Sequence, residues 1–136
     1  MRARRYSLPV MRKPRTPPEP APALRLTLRV DVNGKATLGP GKIRLLELIG
    51  EHGSITAACR IMGMSYRRGW ALVENLNATF AERLVAARTG GVGGGSAALT
   101  PHGTRIVRAY RAVEAHAAAA ADLDALRVCL TASKPG

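Results

Sequence analysis

Residues 53–80, GSITAACRIMGMSYRRGWALVENLNATF, decide the fold of this chain. The stretch begins with a short apolar helix pattern, turns at Gly63 and continues as a second helix pattern that opens with Tyr66, Arg67 and Arg68. Two helices joined by a glycine turn, the second with a basic start, are typical of a helix-turn-helix, whose second helix enters the major groove of DNA. The stretch therefore predicts a DNA-binding protein.

Serines mark the start of both predicted helices. Ser54 precedes the first and Ser65 the second, and serine is a favoured N-cap because its hydroxyl accepts a hydrogen bond from a free backbone N–H. A glycine at position 69 predicts that the two helices approach each other closely. The inward-facing positions, spaced at the period of an α-helix, are Ile55, Ala58, Cys59 and Met62 in the first helix and Trp70, Val73, Leu76 and Phe80 in the second.

The start of the second helix carries the predicted base contacts. Arg67 and Arg68 can each form a two-pronged hydrogen bond with guanine N7 and O6, worth ~1–3 kcal/mol against the wrong base. Two roles are open for Tyr66: packing on a sugar or thymine methyl, or fixing the helix to the core. With phosphate contacts from helix starts and from the segment that follows, the predicted DNA-binding residues are Ser54, Thr56, Ser65, Tyr66, Arg67, Arg68, Arg88 and Thr89.

A glycine-rich segment follows the two helices. Residues 84–88 and 97–99 predict two short strands, and TGGVGGGS at 89–96 predicts the loop between them. A Walker-type nucleotide loop is disfavoured, because it requires a Gly-Lys-Ser/Thr ending that runs into a helix. We predict a wing that lies along the DNA backbone, with Arg88 and Thr89 at its base. The alternative is a flexible hairpin turn that contacts nothing.

The segment before the motif predicts a hairpin and a helix. Apolar and polar residues alternate over 24–30, which is the period of a strand with one buried face. Asn33-Gly34 is a strong hairpin signal, so residues 36–38 should pair back onto that strand. Residues 42–52 predict a helix with one buried face.

The last helix pattern carries the predicted dimer interface. Thr100 is a predicted N-cap with Pro101 at the first helical position, and the pattern continues to about Leu130. A helix of ~25–30 residues is too long for one small domain to cover, which favours a homodimer. The alternative is a helix that packs on its own domain. The predicted interface residues are Ile106, Tyr110, Val113, Ala117, Ala120 and Leu123.

Composition favours nucleic acid as the partner. The 136 residues include 21 Lys and Arg against 9 Asp and Glu, a formal net charge of +12. A negatively charged partner is therefore expected, with an anionic membrane surface as the second candidate. No run approaches the ~20 apolar residues of a membrane span. We expect a cytoplasmic protein that does not span a membrane.

No catalytic or metal chemistry is predicted. Cys59 and Cys129 have no CxxC companion, and the three histidines are isolated from one another, so neither a disulfide framework, a metal site nor a cofactor is expected. Cys59 is predicted to be a small buried hydrophobe, with a thiol sensor as the alternative. The acidic residues are scattered over helical faces and form no catalytic set, so we expect no enzyme.

The chain divides into four predicted parts. Residues 1–23 contain six of the nine prolines and six basic residues with one acid, so they predict a disordered basic arm. One interpretation is that the arm adds phosphate contacts. The alternatives are an inert tail or translation that begins at Met11. Residues 24–100 form the predicted winged helix-turn-helix, 101–130 the dimerisation helix and 131–136 a frayed tail. The predicted fold class is mainly α with a small β-sheet.

Two segments carry a family resemblance. GPGKIRLLELIGEHGSITAACRIMGMSYRRGWALVENLN at 39–77 and LVAARTGGVGGGSAALTPHG at 84–103 resemble the N-terminal DNA-binding domain of ModE-type molybdate-responsive regulators. The resemblance covers about Leu24 to Leu126. Its most specific pieces are Gly-Ser-Ile at 53–55, Met-Ser-Tyr-Arg-Arg at 64–68 with Trp70, and Leu99-Thr100-Pro101-x-Gly103. It implies a winged helix related to that of LysR-type regulators, groove reading by Ser65, Tyr66, Arg67 and Arg68, a wing at 88–96, and dimerisation through the long last helix.

The resemblance does not extend to the C-terminal molybdate-binding domains of full-length ModE proteins. Because the sequence ends at Gly136, we expect a protein without those domains and without molybdate ligands, whose signal comes from a separate sensor protein or another ligand. The predicted function is sequence-specific transcription regulation at double-stranded DNA, in molybdenum-linked control or for another stimulus. The alternative is a winged-helix interaction module that binds a protein partner or RNA.

Overall fold

The described part of the chain is built from short hairpins and helices. The computed structural model describes residues 23–88 and 95–131. Within them the elements follow in the order β1 (Val30–Val32), β2 (Lys35–Leu38), α1 (Pro40–His52), α2 (Ile55–Met62), α3 (Tyr66–Thr79), β3 (Val85–Arg88), β4 (Ser96–Leu99), α4 (Pro101–Ala118) and α5 (Ala121–Thr131). The predicted mainly helical class is confirmed. The β-structure consists of two antiparallel hairpins, β1–β2 and β3–β4.

Three predicted features lie mostly outside the described residues. They are the basic arm at 1–23, the loop that includes Thr89, and the tail at 131–136. Predictions about them stay predictions.

The first hairpin turns at the Asn-Gly pair that the sequence singles out. Asn33 has a φ of 52° and Gly34 a φ of 76°, both in the left-handed region that a two-residue type I′ turn requires. The strands pair in antiparallel register, with Val32 opposite Lys35. The predicted hairpin is confirmed.

The strand expected over 24–30 is wrong in its extent. β1 begins only at Val30, and residues 23–29 precede it without strand pairing. The leucines of this segment are still half-buried between exposed neighbours, so the alternation of burial exists without the sheet. One reason is visible at Leu28, whose carbonyl accepts a hydrogen bond from the Tyr110 hydroxyl at 2.7 Å instead of from a neighbouring strand.

An aliphatic core surrounds α1. The helix ends at His52 and is capped by Gly53, whose φ of 65° lies in the left-handed region and whose N–H donates to the Ile49 carbonyl at 2.8 Å. Within the described residues, the core agrees with the low aromatic content of the chain, because Tyr110 is its one buried aromatic side chain. The buried side chains of α1 are Ile43, Leu45, Leu46, Leu48 and Ile49, each 1% exposed or less.

The turn between α2 and α3 forms as predicted. Ser54 caps α2 by accepting from the Ala57 N–H at 3.1 Å, and Gly63 follows its last residue with a φ of 68°. Ser65 caps α3 by accepting from the Arg68 N–H at 3.2 Å. Both caps and the glycine turn are confirmed.

α2 and α3 approach each other closely at Gly69. A Cβ built on Gly69 would overlap the Sγ of Cys59, so any side chain there would require the cysteine to move. The buried positions of α3 are Gly69, Val73 and Leu76, and the expected inward position of Trp70 is wrong. Trp70 is 36% exposed, because the small glycine rather than the adjacent indole faces α2.

The expected continuous helix over 101–130 is divided in two. Thr100 caps α4 as predicted, its hydroxyl accepting from the Gly103 N–H at 3.0 Å. α4 then ends at Ala118, and α5 begins at Ala121. Two acidic residues lie in the first turn of α5, where the helix dipole favours negative charge, so a new helix start is stabilised there.

Two neighbouring residues fasten α4 to the rest of the domain. Tyr110 is 4% exposed, so it lies in the core of its own chain and not on the outward face expected of a dimer contact. Arg111 donates to Glu47 of α1 at 2.6 Å and to Glu114 at 2.7 Å. These hydrogen bonds raise the pKa of Arg111 above its ordinary value, so the guanidinium stays charged and joins α4 to α1.

Gly69→Ala should destabilise the domain, although alanine is the better helix former. Overpacking against Cys59 costs ~1–3 kcal/mol, whereas alanine gains at most ~1 kcal/mol over glycine in a helix. Urea unfolding followed by circular dichroism measures the difference.

Cys59→Ala is the matched partner change, because it removes the sulfur that the new methyl would overlap. The double variant should lose less stability than the two single variants lose together, because the effects of mutations at residues in contact are not additive. Strictly additive losses would contradict the contact between these two positions.

Candidate nucleic-acid interface

The start of α3 presents two arginines to solvent. Arg67 and Arg68 are both exposed, and within the described residues neither guanidinium has a hydrogen bond or an ion pair. The hydroxyl oxygen of Ser65, a predicted groove contact, accepts the Arg68 backbone N–H and so holds the helix start. A helix N-terminus carries about half a positive charge, which adds to the two guanidinium charges. This end of α3 is suited to an anionic partner.

Arg68 lies on the side of α3 that faces the β1–β2 hairpin. It lines a cavity of about 280 Å³ together with Arg29 and Lys42. Arg29 donates twice to the Asp31 carboxylate, at 2.9 and 3.0 Å, and the Lys42 ammonium donates to the Thr37 carbonyl at 3.2 Å. Of these three cations, Arg68 alone has no acceptor among the residues that the structure describes.

A groove of about 240 Å³ lies on the opposite flank of α3, facing the β3–β4 hairpin. Thr56, Tyr66 and Arg88, three of the predicted DNA contacts, line this groove, and so does Trp70. The structure therefore brings together residues that the sequence places on three different elements. Ser54 is half-buried at the start of α2, and its hydroxyl oxygen is engaged in the helix cap.

An exposed aromatic pair borders the groove. The rings of Tyr66 and Trp70 are stacked with centroids 6.3 Å apart and 26° between their planes. Tyr66 is 53% exposed, so of its two open roles the one that fixes the helix to the core is wrong. Sequence analysis missed Trp70 as a site residue. The available signal was its spacing of four from Tyr66, which places both rings on one face of a helix.

A single asparagine aligns the β3–β4 hairpin with α3. The Asn77 side-chain oxygen accepts from the backbone N–H of Leu84 at 2.8 Å and of Val85 at 3.1 Å, while its nitrogen donates to the Val85 carbonyl at 3.2 Å. On β4, the Ala97 N–H donates to the Gly53 carbonyl at 2.9 Å. Both strands are thus tied to the helices that carry the interface, a role for Asn77 that sequence analysis did not identify.

The predicted dimer residues fall into two groups. Tyr110 and the partly buried Ile106 pack toward the core of their own chain. The others are partly or fully exposed: Val113, at 56%, with Ala117, Ala120 and Leu123. Dimerisation stays a prediction, and the surface open to it lies on the second half of α4 and on α5.

The described residues hold no cluster suited to a metal ion, since no three of their His, Cys, Asp or Glu side chains could hold one together. Cys59 is 2% exposed, as expected of a buried hydrophobe. Burial raises the pKa of its thiol above its ordinary value, which disfavours the reactive thiolate. None of the helices in 23–88 and 95–131 has the length and apolar character that a membrane crossing requires.

Several curated proteins are similar to this chain. It is 44% identical over 80 residues to the molybdenum-pterin-binding protein MopB of Rhodobacter capsulatus, covering 59% of the chain and 30% of MopB. It is 40% identical over 90 residues to the molybdenum transport protein ModE of Azotobacter vinelandii, covering 66% of the chain and 33% of that protein. ModE and Mop proteins are thus among its relatives. Another is the DNA-binding transcriptional dual regulator ModE of Escherichia coli K12, 34% identical over 85 residues, covering 62% of the chain and 32% of that regulator.

The similarity covers only part of each relative. The chain spans about a third of the length of the curated relatives that it matches. No protein-family model matches the chain. The names of these relatives describe regulation, transport and pterin binding.

Trp70→Ala should cost much less stability than Leu76→Ala, because the indole is 36% exposed and Leu76 is fully buried. Removing a buried leucine side chain costs ~2–5 kcal/mol, and we expect less than half of that loss at position 70. Urea unfolding of both variants, followed by far-ultraviolet circular dichroism, makes the comparison. A loss at Trp70 as large as that at Leu76 would place the indole in the core.

Proposed function

We propose that this chain is a ModE-like transcription regulator that binds double-stranded DNA through a winged helix-turn-helix. In this proposal α2 and α3 form the helix-turn-helix, α3 enters the major groove, and the β3–β4 hairpin is the wing beside it. Relatives named as transcription regulators support the regulatory role, and the one named as DNA-binding supports the partner. The net charge of +12 favours the same partner, because duplex DNA carries one negative charge per ~1.7 Å.

The observation that carries the proposal is the pair of unpaired arginines at the start of α3. Within the described residues no carboxylate balances Arg67 or Arg68, and both are exposed. A guanidinium is planar and presents paired donors, which match the N7 and O6 acceptors of guanine. Thr56, Tyr66 and Arg88 border the adjacent groove, where the sugar–phosphate backbone would lie.

Capture and sequence reading are separate steps in this mechanism. Attraction between the basic protein and the phosphates brings the two together in any register and weakens as salt increases. The six basic residues within 1–23 add charge to this first step. Contacts from α3 to base edges then select the register, because phosphates carry no sequence information.

We propose in addition that the regulated genes are linked to molybdenum. The support is the naming of the relatives as molybdenum transport and molybdenum-pterin-binding proteins. The signal is proposed to reach this chain through a separate sensor protein or another ligand.

We propose that the active species is a homodimer that reads two half-sites. Val113 on α4 and Leu126 on α5 are each 56% exposed, which leaves apolar surface for a second copy. A twofold dimer would present two copies of α3 about one turn of DNA apart, ~34 Å, and would select a palindromic sequence.

Changing Arg67 and Arg68 together to alanine should abolish sequence preference while the domain stays folded. Each two-pronged guanine contact is worth ~1–3 kcal/mol, so preference for the selected site should fall at least ~10-fold. Selection of duplexes from random DNA, followed by anisotropy titrations at several salt concentrations, measures preference and salt dependence separately. Circular dichroism reports the fold.

Arg105 and Arg108 of α4 provide a matched control, because both are exposed and neither has a partner among the described residues. Their double alanine variant removes the same charge and should keep the selected sequence. If the Arg67/Arg68 variant still selects the wild-type site, these arginines do not read DNA. If the wild-type chain binds protein or RNA and has no salt-dependent affinity for duplex DNA, the interaction-module alternative replaces the proposal.

Val113→Glu should weaken the homodimer at least ~10-fold, since it places a charge in an apolar contact between two copies. Sedimentation equilibrium measures the dissociation constant. Ala112→Glu adds the same charge at the neighbouring exposed position of α4 and serves as the control. Equal effects of the two changes, or a monomeric wild type, would remove Val113 from the interface.

A further inference from the structure

The outward face of α3 is a strip of four residues. Gly69, Val73 and Leu76 define the buried face. At 100° per residue, the positions opposite them are Arg67, Ala71, Glu74 and Ala78, and all four are exposed. We call these four residues the outer strip.

The flanks of α3 are occupied by other elements, which leaves the outer strip as the part that can enter a groove most deeply. Tyr66 and Trp70 face the β3–β4 hairpin across one cavity. Arg68 and Leu72 face the β1–β2 hairpin across the other. No residue of the outer strip lines either cavity, so the strip lies between the two hairpins and faces solvent.

Glu74 is the unusual member of this strip. Every other glutamate in the described helices has a basic partner: Glu47 and Glu114 bind Arg111, and Glu51 lies 3.9 Å from Arg44. Glu74 has no ion pair or hydrogen bond among the described residues.

The helix itself offers Glu74 no basic neighbour. The residues three and four positions away, which are its neighbours on the helix surface, are Trp70, Ala71, Asn77 and Ala78. An unpaired carboxylate therefore stands on the face of α3 that carries Arg67, in a chain with a net charge of +12.

A carboxylate on a DNA-reading face repels phosphates but accepts a hydrogen bond from the N4 amino group of cytosine. The side chains beside it, Ala71 and Ala78, are single methyl groups, so they allow the helix to approach the base edges closely. Ala71 can also contact a thymine methyl. Along α3 the outer strip thus offers a guanidinium that can bind guanine, a small apolar side chain and a hydrogen-bond acceptor.

We propose that Glu74 is a specificity-determining residue that accepts a hydrogen bond from cytosine N4 in the major groove. This inference rests on the proposed DNA-binding function. Seven residues separate Glu74 from Arg67, a rise of ~10.5 Å along the helix. With bases ~3.4 Å apart along a strand, the cytosine lies about three base pairs from the guanine read by Arg67. Guanine and thymine present only acceptors and a methyl group in the major groove, so at these bases the carboxylate opposes binding, which sharpens the discrimination.

Glu74→Gln tests the proposal with a change of nearly identical shape. The amide has no charge and can bond adenine N6 and N7, so preference should move from cytosine toward adenine at one position. We expect the cytosine preference there to fall about tenfold, affinity for unrelated duplexes to rise, and the other selected positions to remain. Selection from random duplexes with the full chain, followed by titration of single-base variants of the selected site, measures each of these effects.

Glu82→Gln is the matched control, because Glu82 is exposed, has no partner among the described residues and lies outside α3. It removes the same charge and should leave the base preference unchanged. If Glu74→Gln keeps the cytosine preference, or if Glu82→Gln alters the selected sequence equally, the inference is wrong although DNA binding stands. If the wild-type chain selects no sequence, the proposed function and this inference fail together.

Discussion

The packing of the Gly69 backbone against the Cys59 side chain is the constraint on which the interface depends. Together with the burial of Val73 and Leu76, it fixes the rotation of α3 about its axis, because the other residues of the helix follow in steps of 100°. With Gly69 inward, Tyr66 and Trp70 border the groove beside the β3–β4 hairpin, and Arg68 borders the cavity beside β1–β2. A rotation by one residue would bury the indole and change which side chains face outward.

Structural features that depend only on neighbouring residues could be predicted from the sequence. The serine caps at 54 and 65, the glycine turn at 63 and the Asn33-Gly34 hairpin all follow from rules that involve only neighbouring residues, and the structure contains each of them. Val73 and Leu76 of α3 are buried as predicted, whereas Trp70 is not. A hydrophobic pattern assigns the large Trp70 to the core, while Gly69 carries no hydrophobic signal although it is buried.

Features that depend on residues far apart in the chain could not be predicted from the sequence. The hydroxyl of Tyr110 bonds a carbonyl 82 positions earlier in the chain, and this contact turns an expected dimer residue into a core residue. The division between α4 and α5 was hidden because alanines on both sides of it favour helix equally. In the candidate site, the groove that Thr56 and Arg88 share arises only from packing, which no local pattern predicts.

Because of the three hydrogen bonds of Asn77, the effect of an insertion or deletion on the β3–β4 hairpin depends on where in the chain it occurs. Its amide is seven residues from Leu84, and all its bonds reach the start of β3, close to α3. An insertion or deletion between 78 and 83 would pull these partners apart and tilt the whole hairpin. A change in the number of residues after Arg88 leaves the bonds intact. Evolution can therefore alter the reach of the hairpin without altering the direction in which it extends.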